Sequence, residues 1–256
     1  MVKNVLIKIA YDGTLFHGWQ RQPQKRTVQG TLEENLSYVL REDIKIEGSG
    51  RTDAGVHALG QMATFQTKSG IPVSKIPLAV NHALAGGRTP VGSKISDAMI
   101  LDAEEVPIDF HARFSAKGKT YRYVADFGKV DIFKRNYRYF FDAKSNIDIS
   151  EIKRAADILK GEHDFSAFRN ADDEERSPNK KIFDLQIKNE GSTIIFEVSG
   201  DGFLYNMVRI IAGTLIEVGV GRRKAEDVKT ALATGDRSLA GHTAPACGLY
   251  LKEVYY

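Results

Sequence analysis

Between Val5 and Tyr11 the chain reads VLIKIAY, β-rich and roughly alternating, which predicts a strand. The loop that follows, YDGTLFHGWQRQPQ, is punctuated by Asp-Gly and Pro. Val28, Leu32, Leu36, Val39 and Leu40 then recur at the spacing of one helix face. KIEGSG leads into a glycine-rich stretch, GSGRTDAGVHALGQ (48–61), and GQMATFQT reads as the strand after it. Ser74 to Ala85 predicts a second helix, and 86–100, GGRTPVGSKISDAMI, an irregular surface excursion.

A second half begins near Val106, so the expected division is 1–105 and 106–256. KTYRYVADF predicts a strand with Tyr121 and Tyr123 on one face. A helix is expected over Ser150–Lys160, capped by Ser150 and stopped by Gly161. ADDEERSPNKK (171–181) predicts a charged, solvent-facing turn segment, and FDLQIKN and STIIFEVSGDGF a hairpin around Glu190-Gly191. Met207 to Val218 is apolar and helical except for Arg209, and LYLKEVYY is a last strand. Helices alternate with strands in both halves and hairpins occur, which favours an α+β fold of two related halves over a purely parallel sheet.

Composition narrows the function classes. With 256 residues, 42% hydrophobic and 27% charged, the chain has the make-up of a globular protein with a sizeable core. No apolar run approaches the roughly 20 residues of a membrane span, and the N-terminus reads as a strand because Lys8 interrupts its short apolar run. One cysteine, Cys247, excludes an internal disulfide framework and a Cys-rich zinc site, and fits a reducing cytosol. Gly48, Gly50 and Gly55 match neither phosphate-loop pattern, so a nucleotide cofactor is unsupported.

The net charge of +3, from 36 basic and 33 acidic residues, says less than its distribution. No acid occurs from Gly13 to Leu32, which holds Arg21, Lys25 and Arg26. None occurs from Phe110 to Ala125, where His111, Arg113, Lys117, Lys119 and Arg122 mix with four aromatic residues. Such runs suit a phosphate backbone with unstacked bases, or else are solvated faces.

Asp53 has two readings: an Asx-type turn with Arg51 at the surface, or a nucleophilic carboxylate in a loop that a substrate can approach closely. A base covering the carboxylate would raise its pKa, and a neighbouring guanidinium would offset that rise. Arg51 and Arg209 are the candidates. Arg209, in its apolar helix, either pairs with such a carboxylate or snorkels to water. Tyr121 is either core or a stacking platform for a base.

Six blocks in order along the chain resemble the tRNA pseudouridine synthase A family: YDGTLFHGWQRQ, TVQGTLEENL, GSGRTDAGVHALGQ, DFHARFSAKGKTYRY, GDGFLYNMVRIIAGTLIEVG and TAPACGLYL. The resemblance implies that Asp53 is the catalytic nucleophile, that Tyr121 contacts the target base, and that Arg209 pairs with the catalytic carboxylate. It implies that Arg51 helps to extrude the target nucleotide and takes its place. The loop at 48–61 would then combine flexibility, a nucleophile and an RNA-facing cation.

The implied reaction converts uridine to pseudouridine at positions 38, 39 and 40 of the tRNA anticodon arm, by attack at C6 of the base or C1′ of the ribose. No metal or other cofactor is implied. The expected partners are tRNA and a second copy of the chain in a homodimer, and the expected location is the cytoplasm. Arg21, Lys25, Arg26, Arg113, Lys117, Lys119 and Arg122 would supply phosphate contacts. The implied fold is the pseudouridine synthase core: two similar βα halves in one mixed, mostly antiparallel sheet with a central catalytic cleft. Against the family pattern, the connection over 86–100 looks enlarged.

Three rivals stand beside this reading. They are an RNA-binding protein with a dead site, a pseudouridine synthase for another RNA, and hydrolysis through a second carboxylate such as Asp201.

Overall fold

A computed structural model describes residues 1–86, 96–141, 147–170 and 177–256. The chain divides into two units, Met1–Lys117 with Leu251–Tyr256, and Gly118–Tyr250. The division falls at Lys117 and Gly118, where the sequence suggests 105 and 106, and the last six residues return to the first unit.

In the first unit, strand β1 (Lys3–Tyr11) lies between β3 (His57–Thr67) and β4 (Ala98–Val106), antiparallel to both. The two-residue β2 (Glu47–Gly48) adds to β3. Val5, Ile7 and Ile9 are fully buried, and the apolar stripes of α1 (Val28–Leu40) and α2 (Ile76–Leu84) supply Leu32, Leu36, Ile76 and Val80 to the core. Thr27 caps α1 by accepting the Gly30 amide. The first strand and first two helices thus follow the expected pattern.

Strand β4 corrects one expectation. Ala98–Ile100, read as part of an irregular excursion, open a regular strand, while residues 87–95 of that excursion lie outside the described residues. Only Ala98 and Ile100 are buried in β4; Met99 and Leu101 are exposed and Asp102, Glu104 and Glu105 follow, so it carries no strong apolar period. The Asn81 side chain pairs with both the amide and the carbonyl of Ile100 at 2.8 Å, occupying groups that a neighbouring strand would otherwise fill.

In the second unit, β5 (Gly118–Asp126), β9 (Thr193–Gly200), β8 (Asn179–Glu190) and β7 (Gly161–Asp164) pair antiparallel in that order. The short β6 (Tyr139–Phe140) runs parallel to β5. Gly191, at φ +66°, occupies the first position of the two-residue β8–β9 turn, as a type II′ hairpin requires. β8 begins at Asn179, so part of the segment expected to be a turn is strand, and residues 171–176 lie outside the described residues.

Helix α3 (Ile149–Leu159) is capped by Asp148, which accepts the amides of Ser150 and Glu151, so the expected Ser150 cap is corrected. Helices α4 (Met207–Gly219) and α5 (Ala225–Thr234) follow, and β10 (Leu249–Tyr255) leads back to the first unit. The ladders are mostly antiparallel and both units combine strands with helices, an α+β architecture.

Candidate active site

The loop carrying Asp53 is tied on both sides. Before it, the Gln61 amide donates to the Gly50 carbonyl at 2.9 Å, and Ser49 bonds Gln61 at 2.7 Å. Beside it, the Thr52 carbonyl accepts the Trp19 amide at 2.9 Å, and the buried Thr52 hydroxyl is hydrogen-bonded to that of Tyr11 at 2.7 Å. After it, the Val56 amide donates to the Asp53 carbonyl at 3.2 Å, closing a turn in which Gly55 has φ +79°.

Asp53-Ala54-Gly55 thus forms a turn closed by the Asp53 backbone carbonyl, and it leaves Asp53 half-buried while Arg51 is exposed. Gly48 serves close packing rather than flexibility: a side chain on it would meet the Trp19 indole at 2.6 Å. Asp53 is carried, half-buried, on a loop whose flanking residues are hydrogen-bonded on both sides.

His57 completes this corner. Its Nδ1 accepts the Gly13 amide at 3.0 Å, so the ring proton sits on Nε2. The 3.2 Å approach of the same Nδ1 to Asp12 is therefore not an ion pair in this arrangement.

Of the basic residues expected to contact RNA in the first unit, Arg21 and Arg26 are paired locally. Arg21 donates to Glu33 at 2.8 Å, to Glu34 at 3.3 Å and to the Gly30 carbonyl at 3.1 Å. Arg26 pairs with Asp97 at 2.6 Å and lies over the Phe16 ring at 4.2 Å. Together with Lys25 these two line one pocket of about 420 Å³ at the start of α1. Arg113, over the Phe114 ring at 5.6 Å, and Lys117 are exposed.

In the second unit Tyr121 is half-buried and meets Phe203 edge-on at 5.2 Å, whereas Tyr123, on the same face, is fully buried. Lys119 shares the Tyr121 face and is half-buried. Arg122 points to the opposite face, held by Glu197 at 2.8 and 2.9 Å, so the basic run read from 110 to 125 is not a single surface. Asp201 accepts the Lys181 amide at 3.0 Å.

Every position of α4 is buried except Arg209 and Glu217. The Arg209 Nε donates to the Ala244 carbonyl at 2.7 Å, and its NH1 donates to the Asn206 side chain at 2.7 Å. Eight residues on, Glu217 accepts the His242 amide at 3.0 Å and bonds its Nδ1 at 2.7 Å, while Arg223 donates to it at 2.6 Å. Burial pushes the Glu217 carboxyl up, but the hydrogen bonds from His242 and Arg223 outweigh it and hold its pKa at about 2. Between them, Gly213 lets the His242 backbone lie on the helix, since a side chain there would meet the His242 carbonyl at 1.9 Å.

The polar stripe of α4 thus docks the segment from Gly241 to Ala244, of which only Thr243 and Ala244 fall in the TAPACGLYL block. Ala244, Glu217 and His242 are not legible as site residues because their partners lie 25 to 35 positions away, and Asn206, three residues before Arg209, carries no signal beyond its place at the start of the helix.

Among the described residues, no group of three His, Cys, Asp or Glu side chains is placed to hold a metal ion. No described helix is long and apolar enough to cross a membrane.

Comparison with known proteins places the chain in a family. A family model described as tRNA pseudouridine synthase matches residues 7–115 and 155–256. A tRNA pseudouridine synthase A of Caldicellulosiruptor bescii is 42% identical over 256 residues, covering the whole of both chains. One of Halalkalibacterium halodurans is 46% identical over 250 residues, 97% of this chain and 90% of that one. A chain in the crystal structure of a Cbf5-Nop10-Gar1 complex aligns at TM-score 0.34 and 12% identity over 97% of this chain and 58% of that one, too low a likeness to bear on the fold. Matched along both halves by the family model and over its full length by these relatives, the chain belongs to the tRNA pseudouridine synthase family.

Proposed function

We propose that the chain is an isomerase that converts uridine to pseudouridine in tRNA, at positions 38, 39 and 40 of the anticodon arm. The observation that carries this reading is full-length similarity to enzymes named for that activity, joined to an Asp53 carboxylate held at the edge of solvent by a tied loop.

In this reading Asp53 attacks C6 of the base or C1′ of the ribose. The N1–C1′ bond breaks, the uracil turns, and C5 bonds to C1′. C5 then loses its proton, N1 gains one, and the carboxylate leaves, so atoms balance and the product is an isomer of the substrate. In the same reading Arg209 takes the role that the family resemblance implies, pairing with the carboxylate and favouring its charged form. Tyr121 stacks on the target base, with Phe203 at its edge as support. Arg51, exposed two positions before Asp53, fills the place of the extruded nucleotide.

The exposed Lys25, Arg113 and Lys117 are the phosphate contacts this reading favours, with Arg21, Arg26, Lys119 and Arg122 as further candidates. The reading includes a homodimer on one tRNA, a cytoplasmic location, and chemistry that needs neither metal nor organic cofactor.

The test is to treat unmodified tRNA with the protein and map carbodiimide adducts of pseudouridine by primer extension. Stops at positions 38 to 40 are expected. Stops elsewhere in tRNA would move the target, and none in tRNA with stops in another RNA would favour the rival substrate.

A further inference from the structure

Asn206 stands at the N-cap of α4, where an asparagine side chain ordinarily accepts an amide from the first turn of the helix. Here it makes no such bond. Its backbone is left-handed, at φ +60° and ψ 4°, where an N-cap residue is usually extended. Its Oδ1 instead accepts from the Arg209 NH1 at 2.7 Å. A helix that forgoes its cap and accepts an unusual backbone conformation has spent both on orienting one guanidinium.

The second hold on Arg209 comes from the Ala244 carbonyl, which accepts Nε at 2.7 Å, while the Ala244 amide returns a 3.2 Å bond to the Arg209 carbonyl. That carbonyl is itself fixed. Three residues before it, the Gly241 amide donates to Thr214 at 2.8 Å, and one residue after it the Pro245 carbonyl accepts the Tyr123 hydroxyl at 2.8 Å. The TAPACGLYL segment thus acts as a bracket for Arg209.

We infer that Asn206 is a positioning residue for Arg209, forming with the Ala244 carbonyl a fork that aims the guanidinium before substrate binds. This rests on the proposed role of Arg209 beside the catalytic carboxylate. Both tines of the fork are neutral. They fix the direction of the side chain, which has many rotamers to lose, without spending its positive charge. A carboxylate in place of the Asn206 amide would orient the guanidinium as well but would compete for that charge.

Two substitutions separate these contributions. Asn206→Gly tolerates the left-handed backbone and removes the acceptor. Asn206→Asp keeps the acceptor and adds a charge. Both are compared with wild type and Asp53→Asn in steady-state tRNA isomerisation across pH, alongside thermal melting followed by circular dichroism.

For Asn206→Gly, kcat should fall on the order of 10-fold with KM and melting unchanged, as expected when an interaction used in the transition state is lost. For Asn206→Asp, kcat should also fall, and the acid limb of its pH profile should move up by about one unit. Full activity in both variants while Asp53→Asn is inactive overturns the role of Asn206 and leaves the function standing. A loss of kcat that only tracks a loss of melting temperature in both variants also overturns it, since that is a structural effect. Activity that survives in Asp53→Asn overturns the functional reading and this inference with it.

Discussion

Removing the Tyr11 hydroxyl while keeping its ring isolates the bond that anchors the neighbour of Asp53. The bond is 2.7 Å long and joins two residues that are only 5% and 7% exposed, so water cannot replace the lost partner. Tyr11→Phe then leaves the Thr52 hydroxyl short of a partner in a buried place, a cost of about 1–3 kcal/mol. Thr52→Val, nearly the same shape, removes the same bond from the other side.

The double variant removes both hydroxyls together, so its cost should fall short of the sum of the singles by about 1 kcal/mol. Trp19 reports the unfolding locally. It is the single tryptophan of the chain, is 3% exposed, and its ring lies 6.2 Å from that of Tyr11. Urea unfolding followed by its fluorescence therefore follows the first unit. Because Thr52 precedes Asp53 directly, single-turnover isomerisation should slow as well, by up to about 10²-fold if the carboxylate drifts by roughly 1 Å. Additive stability costs together with an unchanged single-turnover rate would refute the claim that this bond sets Asp53.

Four further outcomes follow from other parts of the structure. The Glu217 carboxyl, lowered from 4.5 to about 2, contributes stability that is fully present above its unfolded pKa and is lost as pH falls toward 2, worth about 3 kcal/mol. Glu217→Gln should thus be less stable than wild type near pH 6, with the gap narrowing by pH 3; a gap independent of pH in denaturant titrations would contradict this. Gly18→Ala should destabilise the first unit and slow the reaction, because Gly18 has φ +84° and a side chain there would meet the Thr52 carbonyl at 2.8 Å; wild-type unfolding and rate in that variant would argue against it. Arg21→Ala should lower stability by roughly 1–3 kcal/mol by stranding the nearly buried Glu33 carboxylate. Lys25→Ala should instead leave stability alone, weaken tRNA binding and reduce its salt slope by about one, as filter binding across salt concentrations would record.

The elements that could be read from sequence are those whose burial imposes a period. β1, α1 and α4 place apolar residues on a core and announce themselves. β4 does not, because only Ala98 and Ile100 face inward and Asn81 occupies its backbone at Ile100. α5 is not legible in the sequence because its buried stripe is Ala225, Val228 and Ala231, two of them too small to mark a period.

The same limit governs the site. Arg209 stands out as a charge in an apolar helix, yet nothing local discloses that Ala244, 35 positions on, holds it, or that Asn206 turns its side chain to it rather than to the helix amides. Basic runs were legible as composition but not as surface. Arg21 and Arg26 are spent on Glu33, Glu34 and Asp97, and the strand alternation turns Arg122 onto Glu197.

The central claim is that Asp53 carries out uridine isomerisation in tRNA. Its most direct test is tritium release from tRNA bearing 5-tritiated uridine, with wild type and Asp53→Asn compared at equal concentration, because forming the C5–C1′ bond must expel the label. Release by wild type and none by Asp53→Asn, with both binding tRNA alike, is the predicted result. Equal release by the two would remove Asp53 from the chemistry, and release by neither would leave an RNA-binding protein without this activity.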